Sequence, residues 1–445
     1  MKSAKLFVIL LVAVLLLTAC GPAATPVATE APTEAATEAP VVTEAPTEAP
    51  KEPVELRFTY YADGVEADVI KPLVAKFMAE NPYITVVLDV VPYKTIDEQL
   101  PVQVETGEGP DLARITNFGA YKGKLLDLRT YMADAGFYEA NFPAPILTAL
   151  GFGGYPDALT ITGPYVNKTL FDQAGIEIPG EGTTWEEWTK ITKEVKDKTG
   201  ADYAISVDRT GQRIAGPAMS MGATLLDADG NFTVDTPGFR AFVEIVKGWH
   251  DTSITPVQVW LSAEPVNSCI GPFKTGKLVM CMSGSWQING LVKDVGDTFD
   301  WVVVPNPTGA GGSTGIAGGS AVVGFAATKH PQEVAMLIEF LIKTENYSEF
   351  SAGTLSLPAH KEVAAKGVAF KTENPAVLAA LTAYTSEVSK LTVQATSLNV
   401  NPYAFAYYRN SANRIAQYLS GELSLDDMLI NLQQDIDKAI AEAKK

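Results

Sequence analysis

A strand, a helix and a second strand follow one another at the start of the long C-terminal part of this chain, and that order restricts the fold more than any other feature. "VELRFTYY" (54–61) alternates apolar and polar positions, as a strand with one covered face does. In "EADVIKPLVAKFMAENP", Val69, Leu73, Val74, Phe77 and Met78 recur at helical spacing, and Asn81-Pro82 closes the segment. "ITVVLDVVPY" then supplies a β-branched strand. A strand that returns after an intervening helix pairs in parallel, so a βαβ unit is expected. Pro72 removes a hydrogen bond wherever it sits inside a helix, and is expected to start the main helix or to kink it.

The same alternation recurs downstream. "TGEGPDLARI" (106–115) is a glycine-rich turn running into a strand, but it lacks the Gly-Lys-Ser/Thr ending of a phosphate loop. In "TTWEEWTKITKEVKDKTG", Thr184 and Glu187 form a capping box, and Trp185, Trp188, Ile191 and Val195 make one apolar stripe, which assigns both tryptophans to a core. "FKTGKLVMCMSGSWQI" (273–288) reads as a strand entering a Ser/Gly turn, "GGSAVVGFAATKHPQEVAMLIEFLI" as a strand followed by a strong helix, and the last hundred residues as mostly helix. These βα units predict an α/β fold of mostly parallel sheets flanked by helices, with any ligand beyond the strand ends.

The first fifty residues are of another kind. Lys2 and Lys5 precede an apolar run, Leu6 to Leu17, that is shorter than the roughly 20 residues a membrane-spanning helix needs. Leu17-Thr18-Ala19-Cys20 looks like the bacterial lipobox, which implies a signal peptide over residues 1–19 and an acylated Cys20 anchoring the protein to the outer face of a membrane. Residues 20–53 repeat Thr-Glu-Ala-Pro with six glutamates against one lysine, and cannot bury enough surface to offset chain entropy. They are expected to form an extended tether.

The remainder, Val54 to Lys445, is long enough for two lobes, each with its own core. A net charge of −18 argues against a nucleic-acid partner. The three histidines, His250, His330 and His360, are far apart and lack companion ligands, so no metal is expected. No cofactor motif, nucleophile elbow or acid/base pair is present, which weighs against an enzyme, including a secreted carbohydrate hydrolase. Cys269 and Cys281 either pair as a disulfide in an exported protein or stay as buried thiols.

Taken in order, "KFMAENPYITV", "TGEGPDL", "YVNKTLFDQAGIEIPGEGTTWEEW", "FKTGKLVMCMSGSW" and "GGSAVVGFAATKHPQEVAMLIEFL" resemble the extracellular solute-binding proteins of ABC importers, in the carbohydrate-binding branch that is maltose-binding-protein-like. The resemblance implies a two-lobed periplasmic-binding-protein-like fold of type II, running through residues 54–160 in lobe one, 161–300 in lobe two, 301–357 in lobe one and 358–445 in lobe two. It further implies a monomer that grips a sugar or oligosaccharide between its lobes and delivers it to the transmembrane permease subunits. The alternative cargoes on this fold are a polyamine, glycerol phosphate or a peptide.

Sugars want carboxylate, amide or guanidinium partners for their hydroxyls and an aromatic plate for their C–H faces. Trp286 in "SGSW" resembles the family's stacking tryptophan. Tyr60, Tyr61 and Asp63 end the first strand, and Asn117 and Phe118 lie just past the "PDLARI" strand, positions where a cleft contact is expected. Tyr155 and Asp157 flank the first crossing between lobes. Arg209 and Gln212 follow the strand-like "YAISV". Trp260 is either a second plate or simple packing. Gly319 and Ser320, with Gly318 before them, resemble the family's Gly-Gly segment, and Tyr403 and Phe405 lie where relatives supply an aromatic.

Overall fold

The computed structural model describes residues 51–62, 64–262 and 268–444. Cys20, the signal segment, most of the tether and Asp63 lie outside the described residues. Lys51 onward forms one compact unit.

The opening unit forms as its sequence pattern requires. β1 (Val54–Tyr61) buries Leu56, Phe58 and Tyr60, and pairs in parallel with β2 (Ile84–Val91) along its whole length. Between them the helix Glu66–Glu80 buries Ile70, Leu73, Val74 and Phe77. It runs through Pro72 instead of starting there. The bond that Pro72 cannot donate falls in the second turn, while acidic Glu66 and Asp68 in the first turn suit the helix start. β3 (Leu112–Ile115) joins the other side of β1, again in parallel.

β4 (Gly154–Asn167) is the strand on which the architecture turns. Its first half pairs antiparallel with β10 (Ala317–Gly324), whose other edge pairs antiparallel with β3. Its second half pairs antiparallel with β6 (Leu278–Gly284) and β7 (Trp301–Val303), and β6 carries β5 (Tyr203–Val207) in parallel. The strand order is therefore β2-β1-β3-β10-β4-β6-β5, with β7 also on β4 and a separate two-residue hairpin of β8 (Thr308–Gly309) and β9 (Gly312–Ser313). This corrects the expectation of mostly parallel sheets: the sheet is mixed, because β4 and β10, the strands that carry the chain between lobes, run against their neighbours.

Each lobe sandwiches its part of the sheet between two cores. In lobe one, Phe58, Phe77, Tyr138, Phe142, Ile338 and Tyr347 pack on one face, and Tyr61, Ile115, Tyr121 and Phe325 on the other. In lobe two, Trp185, Trp188, Phe242, Trp249 and Leu432 face Tyr165, Phe273, Trp301 and Tyr384 across the strands. The capping box of Thr184 and Glu187 is formed, and both stripe tryptophans are core residues. Residues 301–316 pack with lobe two, since β7 needs the edge of β4 and Val304 and Ile316 fill that lobe's core. Lobe one resumes at β10 and continues to Val363, past residue 357. Cys269 and Cys281 form a disulfide, Cα to Cα 5.6 Å, that ties the entry to the helix Ile270–Lys274 onto β6. No helix among the described residues is long and apolar enough to cross a membrane.

Candidate functional site

A cavity of about 1970 Å³ opens between the lobes, lined from both. Its lobe-two wall grows from the end of β5. Asp208 follows the strand and accepts hydrogen bonds from Ser268 Oγ (2.7 Å), Ser283 Oγ (2.5 Å) and the Cys269 N–H (2.8 Å). Burial raises its pKa, and these donors and Arg213 only partly oppose that. Thr210 then caps the helix Gly211–Ser220 through its hydroxyl, which accepts from the Arg213 N–H. The first turn of this helix brings Gln212 and Arg213 to the cavity. Gln212 Nε2 donates to Ala317 O at the start of β10.

Trp286 sits two residues beyond the end of β6 and is half-buried, its ring lying where a side chain on Gly284 would be: a Cβ there would meet the indole at 1.9 Å. The Arg213 guanidinium lies 4.1 Å from the centroid of that ring. Arg213 Nη1 donates to Thr162 Oγ1 at 3.1 Å, and burial lowers its pKa to about 10, with Asp208 offsetting part of the shift. Tyr408, from the helix Ala404–Leu419, and Phe405 complete this side.

The lobe-one wall is built around Arg114 of β3. Its Nε donates to Asp157 Oδ2 at 2.8 Å, its Nη1 donates to Tyr61 O at 3.0 Å, and its guanidinium stacks 4.4 Å from the Tyr61 ring centroid. Burial is the largest influence and disfavours the charged form, but Asp157 together with Tyr60, Tyr61 and Glu66 outweighs it and the pKa is raised. Asn117 Oδ1 accepts from the Ala120 N–H and so shapes the turn that carries Phe118. The floor is the crossing itself. Gly319 has φ +144°, and a Cβ there would lie 2.2 Å from Ala158 O, so the bulge between Ser320 and Ala321 depends on glycine.

Of the residues expected in a cleft, Tyr61, Asn117, Phe118, Arg209, Gln212, Trp286, Gly319 and Ser320 line this cavity. Four do not. Tyr60, one residue from Tyr61, points to the opposite face of β1 into the core, as strand alternation demands. Tyr155 packs in the same core beside Phe142 and Tyr347. Trp260 is 1% exposed, and its Nε1 donates to Val207 O, so the packing alternative holds. Asp157 is also 1% exposed and holds Arg114 from below the surface of the cavity. Tyr403 packs against the lobe-two core, with Lys444 Nζ 5.4 Å from its ring centroid, while its neighbours Pro402, Ala404 and Phe405 reach the cavity. Arg114, Arg213 and Tyr408 were not singled out from sequence. The signal was there for the arginines: each is a lone charge within a run of mostly apolar or small residues, "LARI" and "GQRIAGPAMS".

Comparison with known proteins agrees with this geometry. The family described as "Bacterial extracellular solute-binding protein" matches residues 72–380. A binding protein of Brucella abortus is 28% identical over 304 residues, covering 65% of this chain and 72% of its own. The lactose-binding protein of Rhizobium radiobacter is 24% identical over 294 residues, covering 62% and 67%. Among solved structures, an ABC substrate-binding protein of Listeria monocytogenes in complex with cycloalternan superposes with a TM-score of 0.73 at 18% identity, over 88% of this chain and all of that one. Two lobes, a shared crossing strand and a family match across most of the folded unit lead to one conclusion: this chain belongs to the bacterial extracellular solute-binding proteins.

Proposed function

We propose that this protein is the lipid-anchored receptor of an ABC importer, capturing a sugar or oligosaccharide between its lobes and presenting it to the permease subunits. The observation that carries the reading is the interlobe cavity, in which a half-buried tryptophan, Trp286, stands among amide, guanidinium and hydroxyl groups from both lobes. That mixture suits the C–H faces and hydroxyls of a saccharide. A relative whose name specifies lactose, and a neighbour holding cycloalternan, support the cargo class. A ligand that touches both walls favours the closed arrangement by its differential affinity, and closure is what a permease can sense. The lipobox at Cys20 and the Thr-Glu-Ala-Pro segment support anchoring outside the cytoplasm by a tether. The protein acts by binding, as a monomer, without catalysis.

The test is thermal unfolding of the full-length protein against a panel of mono- and oligosaccharides, with spermidine, glycerol 3-phosphate and short peptides as the rival cargoes. A saccharide at a hundred times its Kd stabilises the folded form by about 2.7 kcal/mol, a clear rise in Tm. A Tm that moves only with a rival cargo overturns the saccharide reading, and hydrolysis of a stabilising sugar overturns the absence of catalysis.

A further inference from the structure

We infer that the sugar taken up by this cleft is acidic, with a carboxylate seated between the Arg213 guanidinium and the first turn of the helix Gly211–Ser220; the inference rests on the saccharide reading above.

The two walls of the cleft each carry a buried arginine, and the two are treated differently. Arg114 is neutralised by Asp157 at 2.8 Å. Arg213 is only 8% exposed, makes no ion pair among the described residues, and has an Nε with no hydrogen-bond partner. A buried guanidinium in that condition is costly, because its charge has left water without a counter-charge in contact. Asp208 is the nearby acid, but its oxygens are already engaged by Ser268, Ser283 and the Cys269 N–H. In a chain of net charge −18, a cation without its own carboxylate is a built feature of this wall.

What surrounds Arg213 points the same way. The helix start places Gln212 and Arg213 on the cavity wall, and the positive end of its dipole favours negative charge there. Tyr408 lies close by, since Gly211 packs so tightly on it that a Cβ would fall 2.8 Å from Tyr408 Cα, and its buried hydroxyl has no partner among the described residues. A sugar hydroxyl both donates and accepts, so a site built for it offers acceptors as well as donors. The guanidinium only donates. An acceptor-only ligand group satisfies it, and a carboxylate matches the fork of a guanidinium bidentately. One unpaired cation suits a monoanion better than a doubly charged phosphate, which selects a uronate over a sugar phosphate. The ring would then lie beside Trp286, 4.1 Å from the same guanidinium.

The experiment is calorimetric titration of the full-length protein with matched pairs: galacturonate oligomers of one to three units against galactose oligomers of the same lengths, and glucuronate-bearing xylo-oligosaccharides against their uncapped counterparts, with galactose 1-phosphate as a third arm. The expected result is that an acidic member binds at least tenfold more tightly than its neutral partner, and that Arg213→Gln removes the difference while Arg213→Lys restores part of it. Tyr408→Phe, which keeps the packing and removes only the hydroxyl, is expected to weaken the acidic member several-fold and the neutral one little, and serves if Arg213→Gln folds poorly. Neutral partners that bind as tightly as acidic ones, or a preference for galactose 1-phosphate, overturn the uronate assignment while leaving the saccharide reading intact. Failure of every saccharide in the panel, acidic and neutral, overturns both.

Discussion

Arg409 Nη2 lies 2.5 Å from Asp97 Oδ1, and the two residues come from opposite lobes: Asp97 from the helix Tyr93–Glu98, Arg409 from the helix Ala404–Leu419. Next to them, Gly119 of lobe one lies so near Pro402 O of lobe two that a Cβ would approach it to 1.9 Å. The lobes therefore touch across the cavity in this structure. The ion pair is solvent-accessible, which limits its worth to about 0.2–1 kcal/mol, but all of that weight falls on the closed arrangement. Asp97→Asn is expected to weaken saccharide binding about two- to fivefold and to make the affinity less sensitive to salt between low and high ionic strength. Small-angle scattering of the ligand-free variant should show a larger radius of gyration than the parent.

The pair of Arg114 and Asp157 is buried on both sides, so removing one partner strands the other charge. Asp157→Asn is expected to cost about 3–5 kcal/mol, read as a lower urea midpoint. Arg114→Leu together with Asp157→Leu should cost much less than Asp157→Asn alone. A double variant worse than the single would show that the pair supplies net stability.

His250 is buried with neither ring nitrogen hydrogen-bonded among the described residues, and burial lowers its pKa from 6.5 to about 4, assisted by Lys247 and opposed by Asp251. The unfolded chain takes up a proton near pH 6.5 that the folded chain refuses until about pH 4. The stability linked to this group is thus complete above pH 6.5 and declines as the pH falls towards 4, at about 1.4 kcal/mol per unit and to a total of roughly 3 kcal/mol. His360, whose pKa burial also lowers, adds a loss in the same direction. In His250→Phe the fall in Tm between neutral and mildly acidic pH should be shallower than in the parent.

The disulfide closes a short loop, Cys269 and Cys281 being 12 residues apart, so replacing both by alanine is expected to cost about 2–3 kcal/mol in denaturant titrations. The Cys269 N–H also holds Asp208 at the edge of the cavity. The variant should therefore lose some ligand affinity as well as stability, and a reductant should reproduce both effects in the parent.

Where side-chain period alone decides, the reading from sequence stands. The capping box at Thr184, the buried stripe of Trp185 and Trp188, and the parallel pairing of β1 with β2 all follow from local spacing. The polarity of β4 and β10 was not legible, because a strand that crosses between lobes carries the same residue types whichever way its partners run. At the cavity, Tyr61 and Tyr60 were indistinguishable by composition, and only the register of β1 sends one inward and the other to the cleft. Arg213 and Tyr408 meet across nearly two hundred residues of chain, a distance at which no spacing rule operates.

The fourteen residues of β4 serve two bodies at once, and this makes the strand's length inviolable. Tyr165 and Val166 face opposite cores of lobe two, while Tyr155, ten positions earlier, is locked into lobe one. Insert or delete one amino acid near Leu159 and everything beyond it turns over, thrusting a phenol into space shaped for an isopropyl group and the reverse. Surface loops of this receptor can therefore lengthen or shrink over evolutionary time, whereas the span joining its halves can change only by exchange of one residue for another.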